Sequence, residues 1–402
     1  YVRVTGDASV LDETVPFLEM RPLAPDEHEV FDLPRVSSER ATVYEHCLRA
    51  LRRAATQGAH GLPLIGVGDW NDGMNRVGIE GTGESVWMAW FLASIMRSFA
   101  HHARQREHAG VWEWLETTAK DYVRAVEETS WDGEWYRRAY FDDGTPLGSR
   151  TSDECQIDSI AQTWGVISRA ADADRARTAM DSLEKYLVDN DNGIIKLLAP
   201  PFDKTAKDPG YIKGYLPGVR ENGAQYTHAA LWVVLARAMM GDDDRAYALW
   251  DMINPLSHTR DIAGVAKYKA EPYVVAADVY TAEAHVGRGG WTWYTGSASW
   301  MYRIGLEAIL GFQLRGKTLF LEPCVPAHWS EFTIEYRFGS AVYVITVANP
   351  EGLERGGTDF VLDGRELEGG LPLVDDGRRH EVTALMRPSS ALTQTQQAAV
   401  QR

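Results

Sequence analysis

Apolar residues recur with a helical period from about residue 37 to residue 310. Ser38–Ala41 precedes apolar positions at Val43, Cys47 and Leu51, and Gly58 follows them, which predicts a helix that begins near Ser38. Several connecting segments are long and rich in Gly, Asp and Trp, and such loops in compact domains commonly carry function. Further helices are predicted at about 84–106, 110–129, 156–170, 173–189, 223–240, 243–253, 271–285 and 296–310.

After Gly311 the pattern changes to the alternation that is typical of β-strands, with predicted strands at 318–322, 331–336, 341–347, 360–362 and 380–383. The tail from Pro388 is rich in Ser, Thr, Gln and Ala and is predicted to be disordered. We therefore predict a mainly α catalytic domain over 1–311, an all-β domain over 312–387 and a tail over 388–402. Many similar helices followed by strands favour an (α/α) toroid with a β-sandwich cap. A helical bundle and a solenoid are the alternatives, and the lack of a fixed repeat disfavours the solenoid.

The 402 residues carry a formal net charge of −16, which argues against binding of nucleic acid or an anionic membrane through bulk charge. The longest apolar runs, such as 229–240, are too short to span a bilayer. We predict no metal site, because no ligand-type spacing links the three cysteines, Cys47, Cys155 and Cys324. The chain begins at Tyr1 without a methionine, and we expect it to be a fragment of a longer polypeptide.

The segment Gly66–Asn75 concentrates polar chemistry between two predicted helices. Within four residues it places Asp69, Trp70, Asn71 and Asp72. Tryptophan faces bind sugar rings, and carboxylates and amides hydrogen-bond sugar hydroxyls. This composition favours a carbohydrate site, and the alternative is an Asx-rich turn that only caps the next helix.

Two later segments suit an anion. In the first, Arg220 and Glu221 precede His228, and an arginine beside a helix start can bind an anionic group. In the second, Thr295 and Gly296 would present a hydroxyl and an N–H group at a helix N-terminus. The alternatives are a structural histidine and an ordinary threonine cap. No Walker-type loop is present, so a nucleotide is not implied.

Together these motifs resemble glycoside hydrolase family 94, which contains cellobiose and chitobiose phosphorylases. They occur in order over about 230 residues and are most similar to the branch found in cyclic β-1,2-glucan synthases. The matching pieces are Gly68–Met74, Pro217–Gly223 with His228, Glu271–Tyr273 and Tyr294–Trp300, extended by Gln225–His228 and Glu271–Asp278 in the glucan-synthase form.

The resemblance implies a partial (α/α)6 toroid, lacking its first helices, with a jelly-roll-like β-sandwich cap. It makes Asp72 the general acid, which we expect in a partly desolvated pocket. An inverting phosphorylase needs one such acid, because phosphate is already an anionic nucleophile. The resemblance also implies a phosphate site at His228, Thr295 and Gly296. Substrate contacts are expected from Trp70, Asp69, Asn71, Glu221 and Arg220, the last of which stands where the family carries a lysine.

Two departures argue against cellobiose as the substrate. A phosphate-contacting glutamine of cellobiose phosphorylases falls at Ala276 or Ala277, and their acceptor-side glutamate falls at Tyr211. We therefore expect phosphorolysis of β-1,2 linkages in linear glucan, releasing α-glucose 1-phosphate and controlling chain length. Inorganic phosphate is the co-substrate, and no cofactor is expected. The alternatives are an inverting hydrolase with Glu221 or Glu271 as its base, and a non-catalytic glucan-binding module.

The glucan-synthase resemblance also implies a setting for the domain. We expect it to lie in the cytoplasm as part of a bacterial inner-membrane protein that is anchored by other segments. A homodimer is one option for its assembly. Because the early barrel helices of the family would precede Tyr1, the fragment alone is expected to be inactive.

Overall fold

Helices predominate up to residue 310 and strands after it, in a computed structural model that describes residues 1–24, 27–293 and 295–388. The tail predicted to be disordered therefore falls, apart from Pro388, outside the described residues. The helices are α1 (Val2–Thr5), α2 (Val43–Ala54), α3 (Val86–Gln105), α4 (Ala109–Thr129), α5 (Ser159–Ile167), α6 (Ala173–Leu187), α7 (Thr227–Met240), α8 (Asp243–Met252), α9 (Pro255–His258), α10 (Ile262–Tyr268) and α11 (Ser297–Arg303). A π-helical turn, Ile304–Ile309, follows α11, and 3-10 turns lie at Ser9–Asp12, Asp72–Met74, Tyr211–Gly214 and Glu283–His285.

The helix predicted from Ser38 begins later than its apolar pattern suggested. Residues Arg35–Thr42 instead form strand β2, which pairs antiparallel with β1 (Thr14–Glu19). The Thr42 side chain accepts the Glu45 N–H at 3.2 Å and so caps α2. Helix α2 therefore starts at Val43, because a capping threonine has an extended rather than a helical backbone.

The helix predicted at 271–285 is absent from the structure, which has a short strand and a 3-10 turn there. The backbone of this segment bonds to distant loops rather than to itself. The Ala277 carbonyl accepts the Thr227 N–H at 2.8 Å, the Ala277 N–H donates to Trp291 at 2.6 Å, and the Tyr280 N–H donates to Arg288 at 2.9 Å. These long-range bonds satisfy the backbone groups that a helix would otherwise pair locally.

Short strands occupy the loops between helices, and longer strands follow Gly311. The short ones are β3 (Glu84–Ser85), β4 (Ala139–Tyr140), β5 (Pro146–Leu147), β6 (Ile157–Asp158), β7 (Val188–Asp189), β8 (Ile194–Ile195), β9 (Leu198–Ala199), β10 (Gln225–Tyr226) and β11 (Asp278–Val279). The longer set is β12 (Phe312–Arg315), β13 (Thr318–Leu321), β14 (Glu331–Phe338), β15 (Ala341–Ala348), β16 (Gly357–Leu362), β17 (Arg365–Leu367), β18 (Leu371–Pro372) and β19 (Arg379–Arg387).

The strands after Gly311 form two sheets. One has five strands in the order β14-β15-β19-β16-β17, and the other has three in the order β12-β13-β18. The pair β15–β19 is parallel, and the other pairs of these two sheets are antiparallel. Strand β15 buries every second side chain, from Ala341 to Val347. That alternation is typical of a sheet with one buried face.

The chain divides into two compact units. One comprises residues 1–10, 234–252 and the segment from 298 onward, and the other comprises residues 11–233 and 253–297. All nine site residues predicted from the sequence belong to the second unit. The predicted domain boundary at residues 311 and 312 stays a prediction. No helix in the described ranges is long and apolar enough to cross a membrane.

A buried apolar cluster underlies the segment Gly66–Asn75 in the second unit. Met74 from this segment is fully buried and belongs to the cluster. The remaining members come from flanking loops and short strands: Ile65, Val77, Ala139, Phe141, Leu147, Cys155, Leu198, Phe202 and Ile212. Burial of Met74 fixes one end of the segment to the core, which leaves its polar residues to form the site described next.

Candidate active site

The segment Gly66–Asn75, here called the acid loop for its two aspartates, presents Asp72 on a short 3-10 turn. The buried Asn71 side chain accepts the Gly73 N–H at 3.1 Å and starts that turn. Gly68 has φ 127°, and a Cβ there would lie 3.1 Å from the Asp72 Cα, so the loop needs glycine at this position. Asp72 itself is exposed. The expectation of a partly desolvated Asp72 is therefore wrong for this structure, and a bound sugar would have to supply the missing cover.

Asp69 lies inside the protein and is held by Arg138. The guanidinium donates from Nη1 to Oδ2 at 2.7 Å and from Nη2 to Oδ1 at 2.6 Å, and neither side chain is exposed. Ser85 Oγ and the Asn71 N–H add hydrogen bonds of 2.6 and 3.0 Å. Burial alone would raise the pKa of Asp69, but the charge of Arg138 and these four bonds hold it below its ordinary value.

This setting changes the predicted roles of two residues. Asp69 and Asn71 were expected to contact sugar, but the Asp69 side chain has no exposed surface and Asn71 has 1%. Both instead form the internal hydrogen bonds of the loop. The sequence analysis missed Arg138, because it carries no local motif and meets Asp69 across 69 residues of chain.

A cavity of about 250 Å³ lies beside the acid loop. Trp70 of the loop packs edge-on against Tyr226 and His228, with ring centroids 5.3 and 5.5 Å apart. The cavity gathers the three residues predicted to bind phosphate, together with Arg220. Its lining consists of Arg220, Tyr226, His228, Ala277, Asp278, Trp291, Thr295 and Gly296. Residues from three separate segments of the sequence thus line one small cavity.

Arg220 contributes positive charge to this cavity. Its guanidinium lies between two aromatic rings, 5.2 Å from the Tyr215 centroid and 5.0 Å from the Trp291 centroid. Its Nε lies 3.4 Å from the carboxylate of Glu221, which is buried. Among the described lining residues, Arg220 is the one with a permanent positive charge. Glu221, which was predicted to bind substrate, is the partner of Arg220 in this ion pair, and its contact with substrate stays a prediction.

Two further titratable groups line the cavity. Burial lowers the pKa of His228 to about 4, so the imidazole is neutral near pH 7. Burial raises the pKa of Asp278, although its carboxylate accepts the Arg220 N–H at 2.9 Å and the Trp291 N–H at 3.2 Å. A neutral histidine can still donate one N–H to an anion.

Thr295 and Gly296 immediately precede α11. The Thr295 hydroxyl oxygen accepts the N–H of Ser297, the first residue of this short helix, at 3.1 Å. Thr295 therefore forms a local hydrogen bond at the helix start and also lines the cavity. Ala277, one of the two positions matched to the missing phosphate-contacting glutamine, lines the same cavity, whereas Ala276 is buried.

Tyr211 occupies the other position at which the family motif departs. The turn Tyr211–Gly214 lies against the turn that carries Asp72, and the Tyr211 N–H donates to Asn75 Oδ1 at 3.1 Å. Burial and then a hydrogen bond to the Asp72 carboxylate raise the pKa of the Tyr211 phenol. The Tyr211 phenol therefore lies beside the Asp72 carboxylate.

Glu271, the other candidate base of the hydrolase alternative, lies outside the cavity lining and accepts the Trp293 Nε1–H at 3.2 Å. Within the described ranges, no cluster of three or more His, Cys, Asp or Glu side chains could hold a metal ion.

The chain belongs to the glycosyl hydrolase 94 superfamily, whose catalytic-domain model matches residues 1–311. This confirms the predicted resemblance and assigns the chain to enzymes of glycoside phosphorylase or transferase type. Among its relatives, the cyclic beta-(1,2)-glucan synthase NdvB of Rhizobium meliloti (strain 1021) is 49% identical over 352 residues, which are 87% of this chain and 12% of that protein.

Two phosphorylases of Paenibacillus borealis are also similar. The solabiose phosphorylase is 31% identical over 389 residues, 95% of this chain and 47% of that protein. The 3-O-beta-D-glucopyranosyl-beta-D-glucuronide phosphorylase is 33% identical over 354 residues, 86% of this chain and 45% of that protein. The chain thus spans less than half the length of each of these relatives.

Proposed function

We propose that this domain cleaves β-glucosidic linkages of a linear glucan by inverting phosphorolysis, with α-glucose 1-phosphate as one product. The observation that carries the proposal is the cavity in which Arg220, His228, Thr295 and Gly296 meet beside the acid loop. One cation, a hydroxyl and N–H donors suit a phosphate oxyanion. The family membership and the phosphorylase relatives support the same reaction type.

In the proposed reaction, Asp72 donates its proton to the glycosidic oxygen while a phosphate oxygen attacks the anomeric carbon from the opposite face. The bond from the anomeric carbon to the leaving oxygen breaks, and the bond to phosphate forms with inversion. The leaving sugar departs as an alcohol, and the proton of the incoming hydrogen phosphate restores Asp72. Inverting enzymes need space between acid and nucleophile, and the separate placement of Asp72 and the cavity suits that requirement.

We propose β-1,2 as the linkage. The support is the name of the glucan synthase, which is 49% identical, together with Tyr211 beside Asp72. A bulky phenol on the leaving-group side would change which acceptor sugar fits. We also propose that the domain controls glucan chain length and that it forms a partial toroid with a β-sandwich cap within the predicted domain limits. A homodimer and a membrane-anchored cytoplasmic parent protein are further proposals.

The hydrolase alternative finds less support. Glu221 is buried beside Arg220, and Glu271 lies outside the cavity lining, so neither is placed to activate a water there. The binding-module alternative draws on the exposure of Asp72, which lacks the cover expected of a general acid. Product analysis separates all three.

The test incubates the natural full-length protein with linear β-1,2-glucan and phosphate and measures glucose 1-phosphate and free glucose. We expect phosphate-dependent glucose 1-phosphate, and we expect Asp72→Asn to lower its rate by ~10²–10⁴, because an amide cannot protonate the leaving oxygen. Glu271→Gln is the matched control and should retain the rate. Free glucose that forms without phosphate would favour the hydrolase, and glucan binding without turnover would favour the module.

A further inference from the structure

We infer that Arg138 is a positioning residue for the proposed general acid, acting through Asp69 on the loop that carries Asp72. This inference rests on the proposed function, since it concerns how the acid of that reaction is held. Arg138 does not contact the cavity, and it is among the largest fully buried side chains of the protein. A buried arginine needs a reason, because taking its charge out of water is costly unless that charge is paired.

The pairing with Asp69 is specific in geometry. Two parallel N–H···O bonds of 2.6 and 2.7 Å join the guanidinium to both carboxylate oxygens. The planar fork of arginine makes such bidentate pairs, which a lysine cannot reproduce. The Ser85 hydroxyl and the Asn71 N–H complete the set of four bonds on Asp69. Asp69 can therefore move only by breaking several bonds in the protein interior.

Arg138 is itself fixed to regular structure on several sides. Its N–H donates to the Leu147 carbonyl at 2.8 Å, and its carbonyl accepts the Val86 N–H at 3.2 Å. A Cβ at Gly148 would lie 2.5 Å from the backbone nitrogen of Arg138, so the chain segments that contain these two residues meet closely there. The guanidinium thus projects from a backbone that has little freedom to shift.

The pair formed by Arg138 and Asp69 links the acid loop to the starts of two helices. Ser85, which donates to Asp69, accepts the Met88 N–H at 3.0 Å and caps α3. Asp158, whose Oδ2 lies 3.3 Å from Arg138 Nε, accepts the Ile160 N–H at 2.9 Å and caps α5. Hydrogen bonds and an ion pair in one buried cluster therefore connect the acid loop to two helices.

A short chain of bonds connects this cluster to Asp72. Asp69 Oδ1 accepts the Asn71 N–H, and Asn71 Oδ1 accepts the Gly73 N–H of the turn that carries Asp72. Asp72 is exposed, so its own burial does little to hold it. The position of its carboxyl consequently depends on the backbone that Arg138 and Asp69 fix. A misplacement of about 1 Å at a reacting group, caused by a change elsewhere in the protein, can cost about 100-fold in rate.

The experiment compares Arg138→Lys with Arg137→Lys in the natural full-length protein. Arg137 is the adjacent residue and pairs with Asp132 at 2.9 Å, so it provides the same substitution away from the acid loop. Each variant is assayed with linear β-1,2-glucan, whose leaving group needs a proton, and with β-glucosyl fluoride, whose leaving group does not. The ratio of the two rates reports on proton donation.

We expect Arg138→Lys to lower kcat on glucan by about 10–100-fold while the rate on the fluoride falls less than about threefold. The KM for phosphate should stay unchanged, and Arg137→Lys should leave both rates near those of the wild type. An equal loss on both substrates, or no loss on glucan, would overturn the inference.

A second variant, Asp69→Asn, tests the same ion pair independently in case Arg138→Lys does not fold. The amide keeps the volume of Asp69 and can still accept the Asn71 N–H, but it loses the charge pair. It should show the same selective loss on glucan. If circular dichroism shows that both variants are unfolded, Arg138 has a structural role and the inference is wrong. A wild-type protein that releases no glucose 1-phosphate would refute the proposed function. The ratio of the rates on glucan and on the fluoride would still test Arg138, because the leaving oxygen of glucan needs a proton whichever nucleophile attacks.

Discussion

Replacement of Arg220 by Gln is expected to weaken phosphate binding while leaving the acid loop intact. Arg220 supplies the permanent positive charge among the described residues of the cavity, and its guanidinium is held between Tyr215 and Trp291. Gln keeps a polar side chain and the local backbone but removes that charge. The change therefore isolates the electrostatic contribution of one residue to the proposed phosphate site.

The expected rise in the KM for phosphate follows from the free energy of the hydrogen bond that is lost. A hydrogen bond between charged groups contributes about 1.5–3 kcal/mol, and each 1.4 kcal/mol is about tenfold in affinity. The KM for phosphate should therefore rise by about 10–150-fold. The Glu221 carboxylate, now 3.4 Å from Arg220 Nε, would also lose its partner and repel phosphate, which favours the upper part of that range. Arg220→Gln combined with Glu221→Gln should recover part of the loss.

Initial rates of glucose 1-phosphate release, measured against phosphate at saturating glucan, give the KM directly. Arg220→Lys is the matched control, because it keeps the charge and loses the planar stack on the two rings. That loss is worth about 0.5–1 kcal/mol per ring and therefore about 1–2 kcal/mol for both rings, so the KM for phosphate should rise by no more than about 5–30-fold. If Arg220→Gln changes the KM for phosphate by less than about threefold, or raises only the KM for glucan, the cavity is not the phosphate site.

Two stability predictions concern residues outside the cavity. Burial lowers the pKa of His258 to about 4 while its ring stacks on Tyr268, so the unfolded chain binds the proton first as pH falls below about 6.5. The free energy of unfolding should then fall by about 2 kcal/mol between pH 7.5 and pH 5. In urea titrations, His258→Phe should remove this share of the pH-dependent change in the unfolding midpoint. An identical pH dependence in the variant and the wild type would contradict this prediction. Thr42→Ala should cost about 1 kcal/mol by removing the cap on α2, whereas Thr42→Ser should be close to neutral in the same urea titration.

The sequence predicted helices well where a periodic apolar face coincides with a cap. Helix α3 begins at Val86 behind the Ser85 cap, and it lies within the predicted range 84–106. The segment 271–285 has helix-like apolar spacing, but its backbone bonds to other loops. Periodicity reports only which side chains face inward, so it cannot separate a helix from a buried loop whose hydrogen bonds are long-range.

The candidate site was predictable to the extent that motifs reveal it. The resemblance implied a phosphate site at His228, Thr295 and Gly296 and a substrate contact at Arg220, and these four residues, up to 76 positions apart in the sequence, line one cavity. The electrostatic setting was not predictable. The neutral state of His228 follows from its burial, and burial is a property of the packed structure. Their role in phosphate binding stays a prediction.

The two aspartates of the acid loop show why sequence alone misassigns roles within a motif. Asp69 and Asp72 are three residues apart and chemically identical, yet one has no exposed side-chain surface and the other is exposed. The difference comes from Arg138, which is distant in sequence and whose charge and hydrogen bonds hold the pKa of Asp69 below its ordinary value. An ionised carboxylate with four hydrogen bonds is a good anchor and a poor acid. We propose that the exposed carboxyl three residues later contacts substrate, so that one aspartate of the motif holds the loop and the other acts at its surface.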